Sequence, residues 1–132
     1  MNIKFNIKKT IPATLLATFL TITPIRAALY SKTAYSSNTT INGVTLYTQQ
    51  TATFNTIGAT RWSFGNCIIN WVSGYYMGLS KGSDNYTYYS YGDGYLRADA
   101  TTRIYVTDYS YYMTSGLSTR KWAFNPTTLQ WK

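Results

Sequence analysis

From Ala28 onward, no stretch of the chain keeps apolar residues at helical spacing for the three turns that a stable amphipathic helix needs. Instead, short runs rich in Tyr, Thr, Val, Ile, Trp and Phe are cut at close intervals by Gly, Asn and Asp. β-branched and aromatic side chains suit a pleated, half-buried surface, and the residues between them are turn formers. The pattern predicts an all-β domain over residues 43–132, folded as a single small antiparallel β-sandwich.

The runs place candidate strands along the chain. Residues 44–49 and 51–57 read as one bent strand or two, followed by 60–64. Residues 67–73, CIINWVS, are the most apolar run and the candidate central strand, with 75–79 continuing it past a bulge at Gly74. Lys81-Gly82-Ser83-Asp84 reads as a turn. Gly92-Asp93-Gly94, between 85–91 and 95–99, is the strongest hairpin signal, since Gly and Asp tolerate positive φ. In 102–107, Ile104 and Val106 fall on one face and Arg103 and Tyr105 on the other. Residues 109–114 read as a further strand, and 120–124 and 128–131 flank a last hairpin at Asn125-Pro126-Thr127. RWSF at 61–64 and KWAF at 121–124 mark two core-facing strands.

The N-terminal residues have a different character. Lys4, Lys8 and Lys9 precede an uncharged apolar stretch, Ile11 to Thr23, and Pro24-Ile25-Arg26-Ala27 reads as a cleavage region. Residues 1–27 therefore read as a secretory signal peptide, with an uncleaved anchor as the alternative, and the protein is expected to be secreted and extracellular. No integral membrane segment is expected once the signal is removed. Residues 28–42, rich in Ser and Thr, read as a flexible polar arm. Lys4, Lys8, Lys9 and Arg26 leave with the signal, so the formal charge of +8 falls to +4. That mild excess argues against nucleic acid as a partner but suits anionic envelopes. The single cysteine, Cys67, provides no internal disulfide framework. It reads as a small buried apolar residue, with an intermolecular disulfide, and hence a homo-oligomer, as the alternative.

The chemistry-bearing residues are unevenly distributed. Eleven of the fourteen tyrosines lie between Tyr75 and Tyr112, and the chain has neither histidine nor glutamate. A serine triad and a zinc site lack their histidine. The only carboxylates are Asp84, Asp93, Asp99 and Asp108, mostly at predicted turns rather than paired as a glycosidase requires. The composition points to a non-enzymatic protein with no cofactor and no metal. Tyrosine supplies rigid amphipathic contact area at low entropic cost. In residues 86–91, YTYYSY, both strand faces carry tyrosine, so one face must be exposed or meet a partner. Trp62, Tyr75, Tyr76, Lys81, Tyr88, Arg97, Arg103 and Tyr105 are the candidate ligand-binding residues.

Trp62-Ser63-Phe64-Gly65, and then Val72-Ser73-Gly74-Tyr75-Tyr76 with Lys81 downstream, resemble the lactococcin 972-type bacteriocins. That family carries a histidine after the tyrosine pair and another after the lysine, where this chain has Met77 and Gly82-Ser83. The resemblance implies a small secreted β-sandwich that kills competing Gram-positive cells by binding a cell-wall precursor. Arg, Lys and Tyr would then contact a pyrophosphate-linked sugar. The residues also fit a secreted surface or matrix module that binds polysaccharide, cell wall or its own subunits through a Tyr/Trp-rich face.

Overall fold

The computed structural model describes residues 28–58 and 60–132. The segment read as a signal peptide lies outside the described residues. The described chain forms nine strands and no helix: β1 (Leu29–Tyr35), β2 (Thr39–Ile41), β3 (Val44–Asn55), β4 (Trp62–Phe64), β5 (Ile68–Ser73), β6 (Gly78–Tyr89), β7 (Leu96–Thr107), β8 (Met113–Asn125) and β9 (Gln130–Trp131). Every pairing is antiparallel, and two sheets pack face to face as a sandwich. In the first sheet β3 is the spine. One of its edges carries β2 and then β1, and the other carries β5 and then β4. The second sheet is the meander β6-β7-β8-β9.

Period-two alternation explains both sheets. Val44, Leu46, Thr48, Gln50, Ala52 and Phe54 are buried along β3, and Ala98, Ala100, Thr102, Ile104 and Val106 along β7. Two apolar clusters result. Ile41, Val44 and Leu46 meet Ile104 and Val106 towards the start of β3. Towards its end, Ala52, Ala98 and Ala100 leave room for Trp122, against which Trp62, Phe64, Tyr86 and Trp131 pack. The RWSF and KWAF segments thus do face one core.

Between these clusters lies a polar layer built on Arg120, which is 0% exposed. Its Nε donates to Gln50 Oε1 at 3.1 Å, its Nη2 to Thr102 Oγ1 at 2.7 Å, and its Nη1 to Thr48 Oγ1. Asp84 Oδ1 stands 3.9 Å from the guanidinium and accepts the Thr102 hydroxyl. Gln50 Nε2 donates to the Gly65 carbonyl and to Tyr86 Oη, and Thr48 bonds Ser118 at 2.7 Å. A buried guanidinium is tolerable where each of its nitrogens finds an acceptor and a carboxylate stands nearby, as here.

Five expectations are corrected. Residues 75–79 do not continue the 67–73 strand past a bulge, because the chain crosses at 74–77 to the other sheet, where β6 begins at Gly78. Residues 28–42 are not a flexible arm but β1 and β2. Tyr30 turns inward onto Phe124, while Ser31–Thr53, Thr33–Thr51 and Thr40–Thr45 pair their hydroxyls across the strands. Asn42-Gly43 turns the chain between β2 and β3, both residues at positive φ. The 67–73 run is an edge rather than a central strand, with Ile68, Trp71 and Val72 exposed. Lys81 to Asp84 is a bulge inside β6, not a turn; it delivers Asp84 to the polar layer. Residues 108–112 form a loop, because Asp108 Oδ1 accepts the amides of Ser110 and Tyr112 and curls the chain around itself. The hairpins at 92–94 and 125–127 form where the turn residues predict. Cys67 is buried, with Sγ 3.6 Å from Thr102 Oγ1.

Candidate functional site

The predicted site residues fall in three places. Trp62, Tyr88 and Arg97 gather where β3 ends. Tyr75 and Tyr76 lie where it begins, since Gly74 is packed against Gly43 and Val44. Arg103 and Tyr105 alternate with the buried Ile104 and Val106, on the outer face of β7. Lys81 is exposed on β6, and Arg103 Nη1 donates to Ser115 Oγ at 2.9 Å. The structure therefore does not unite these residues in one site.

The first group lines a cleft that carries charge. Two adjoining hollows, of about 320 and 370 Å3, share Arg61, Trp62 and Tyr88. Tyr89, Leu96 and Arg97 complete the wall of one. Trp62 is held rigidly. Phe54 meets it edge-on at 5.0 Å, Phe64 stacks with it at 5.9 Å, and Trp131 closes from another side at 5.9 Å. Phe64 in turn stacks on Tyr86 at 4.1 Å, so an aromatic ladder runs from the cleft into the core. Tyr88 stays 55% exposed, which leaves its ring available to a ligand.

The two arginines of the cleft differ in availability. Arg97 is almost wholly buried. It forms a two-pronged ion pair with Asp93, at 2.9 and 2.8 Å, beneath the rings of Tyr91 and Tyr95. The hydrogen bond from Arg97 holds the Asp93 carboxyl far below the usual carboxylate range, and the same bond raises the guanidinium further. Its charge is neutralised, so Arg97 braces the β6–β7 hairpin rather than offering a free cation. Arg61 is exposed, with Nε on the Gly58 carbonyl at 3.3 Å and, among the described residues, no acidic partner. Sequence reasoning passed over Arg61 because nothing in RWSF distinguishes a cation that faces a cleft from one that faces bulk solvent.

Another concavity, of about 330 Å3, is lined by Trp71, Gly74, Tyr75, Tyr76 and Tyr109. Its rim carries no charged side chain. The nearby Asp108 is occupied by two backbone amides and by Asn42 Nδ2 at 3.4 Å, and those amides hold its carboxyl below the usual range.

All four carboxylates are engaged. Asp84 is in the core, Asp93 on Arg97, Asp99 on Tyr89 Oη and Lys121, and Asp108 in its own loop. What the Arg61 cleft offers chemically is stacking, hydrogen bonding by phenols and, among the described residues, one guanidinium without an acidic partner.

No family model, curated protein or solved structure matches the chain when it is compared with known proteins.

Proposed function

We propose that this is an extracellular, non-enzymatic binding protein directed at the bacterial cell envelope, bacteriocin-like in action, and that the Arg61–Trp62–Tyr88 cleft receives an anionic envelope glycan. The observation that carries the reading is a preformed aromatic cleft whose one unpaired charge is a guanidinium. Rigid rings present flat apolar faces to the C–H faces of a sugar, and arginine matches a phosphate or carboxylate with two parallel bonds. Trp62 needs no reorganisation to bind, which lowers the entropic cost of a contact at this edge. The engagement of every carboxylate in holding the fold supports recognition rather than hydrolysis. The short Trp62–Gly65 and Val72–Tyr76 resemblances add the expectation of toxicity.

The test scores two outcomes together: retention on isolated Gram-positive cell walls and growth of a broad Gram-positive panel. Arg61→Ala and Tyr88→Ala change exposed side chains and leave the core intact. Each is expected to reduce wall retention roughly tenfold, the scale of one lost charge-assisted or stacking contact. Wild-type protein that is not retained on walls sinks the cleft reading. Retention without growth arrest leaves a wall-binding module and removes the bacteriocin-like part.

A further inference from the structure

At the end of the molecule away from the Arg61 cleft, three chain-distant segments converge. They are the Asn42-Gly43 hairpin, the 74–77 connection between the sheets, and the 108–112 loop. This pole presents Trp71 (53% exposed), Tyr75 (85%), Tyr109 (68%), Tyr111 (79%), Tyr112 (66%) and Met113 (58%). So many large rings, gathered from the end of β5, the 74–77 connection and the 108–112 loop, are more than scattered surface hydrophobicity explains.

The platform is rigid. Gly74 has φ +94°, and a Cβ there would collide with the Gly43 carbonyl, so the crossover is pressed directly onto the hairpin. Asn42 Nδ2 reaches both Asp108 Oδ2 and the Tyr112 carbonyl at 3.4 Å, which ties the hairpin to the third loop. Trp71 Nε1 already donates to the Gly74 carbonyl at 2.8 Å. Its indole can therefore leave water without stranding a donor, which removes the usual penalty for burying tryptophan in an apolar medium.

Charge is zoned behind the rings. Lys81 lies three residues along β6 from Gly78, and Arg103 four residues along β7 from Thr107. At about 3.3 Å per residue they stand roughly 10 and 13 Å behind the loops. Neither has an acidic partner among the described residues. We propose that this pole docks into the interfacial region of a lipid bilayer carrying anionic headgroups. Trp71, Tyr75 and Tyr111 enter the headgroup–acyl boundary, and Lys81 and Arg103 face the phosphates. Tryptophan and tyrosine are the residues that populate this boundary. A single leaflet's headgroup zone is about 5–8 Å deep, so cations at that setback meet its outer surface within a Debye length. The docking is taken to be peripheral, through the rings of this pole alone; among the described residues no helix is long and apolar enough to cross a membrane.

The test is quenching of tryptophan emission by lipids brominated in the acyl chain, in vesicles of phosphatidylcholine with about a third phosphatidylglycerol. Every sample carries the same N-terminus. Vesicle-bound protein is expected to be quenched, and Trp71→Phe to abolish most of that quenching. Tyr75→Ser combined with Tyr111→Ser is expected to weaken vesicle binding roughly tenfold or more. Lys81→Gln combined with Arg103→Gln should cost about tenfold on anionic vesicles and little on neutral ones. Bound protein whose Trp71 is unquenched overturns the proposal, as does equal binding by the tyrosine variant. Shielding of Trp71 from acrylamide that rises with protein concentration, without lipid, assigns the pole to a second copy of the chain and overturns it as well. None of these outcomes depends on the Arg61 cleft.

Discussion

Arg120 is the residue on which the interior turns, because removing it strands partners that cannot reach water. Arg120→Met should cost about 3–5 kcal/mol in urea unfolding, since Thr48, Gln50 and Thr102 lose their common donor and Asp84 its counter-charge. Adding Asp84→Asn to that variant should recover part of the loss by removing the uncompensated charge. Tyr89 gives a spectroscopic handle. The hydrogen bond that its hydroxyl donates to Asp99, with burial second, pushes its pKa up to about 12. A phenolate absorbance titration should show a late step near pH 12, and Tyr89→Phe should remove it. The folded state favours the neutral phenol, so this stabilisation is complete below about pH 10 and lost as pH rises towards 12. The sequence hid Arg120 because it reads as one more surface cation on a strand. The partners that bury it come from β3, β6 and β7, and no local spacing announces them.

Among the elements, the β6–β7 hairpin carries its own acid-sensitive brace. Arg97 depresses the Asp93 pKa, so the folded hairpin takes up that proton at lower pH than the unfolded chain does. The stabilisation is present above about pH 4 and drains away as pH falls towards the depressed value. Asp93→Asn should flatten the thermal-melting profile across that acid range, with little change in the remaining strands. Elements were legible where turn chemistry is local. Gly92-Asp93-Gly94 and Asn125-Pro126-Thr127 fold back as their residues require. They were illegible where a partner decides. A Ser/Thr-rich segment such as 28–42 becomes strand because β3 offers matching hydroxyls, and KGSD becomes a bulge because Asp84 has a place inside. The 67–73 run drew attention as the most apolar stretch, yet at an edge its Ile68, Trp71 and Val72 face outward.

For the whole molecule, the two aromatic ends are separated by the length of β3, whose twelve residues span roughly 36 Å at about 3.3 Å each. The Arg61 cleft and the Trp71 pole should therefore respond independently to substitution. Arg61→Ala should leave vesicle quenching unchanged, and Tyr75→Ser with Tyr111→Ser should leave wall retention in lipid-free extracts unchanged. If both proposals hold, a protein standing on a membrane carries its cleft a few nanometres above it, at the depth of wall polymer. The tyrosine block did not announce two separate aromatic ends, because Tyr75 and Tyr88 are close in sequence while β6 carries them to opposite ends. The polar layer also determines how the sheets sit on one another. Apolar faces are indifferent to sliding, and a two-residue slip keeps every inward side chain inward. Such a slip would leave the Arg120 fork only one of its two β3 partners and set Leu46 or Ala52 in place of the other. The buried guanidinium therefore works as an index pin, allowing one of several otherwise similar alignments of the two sheets.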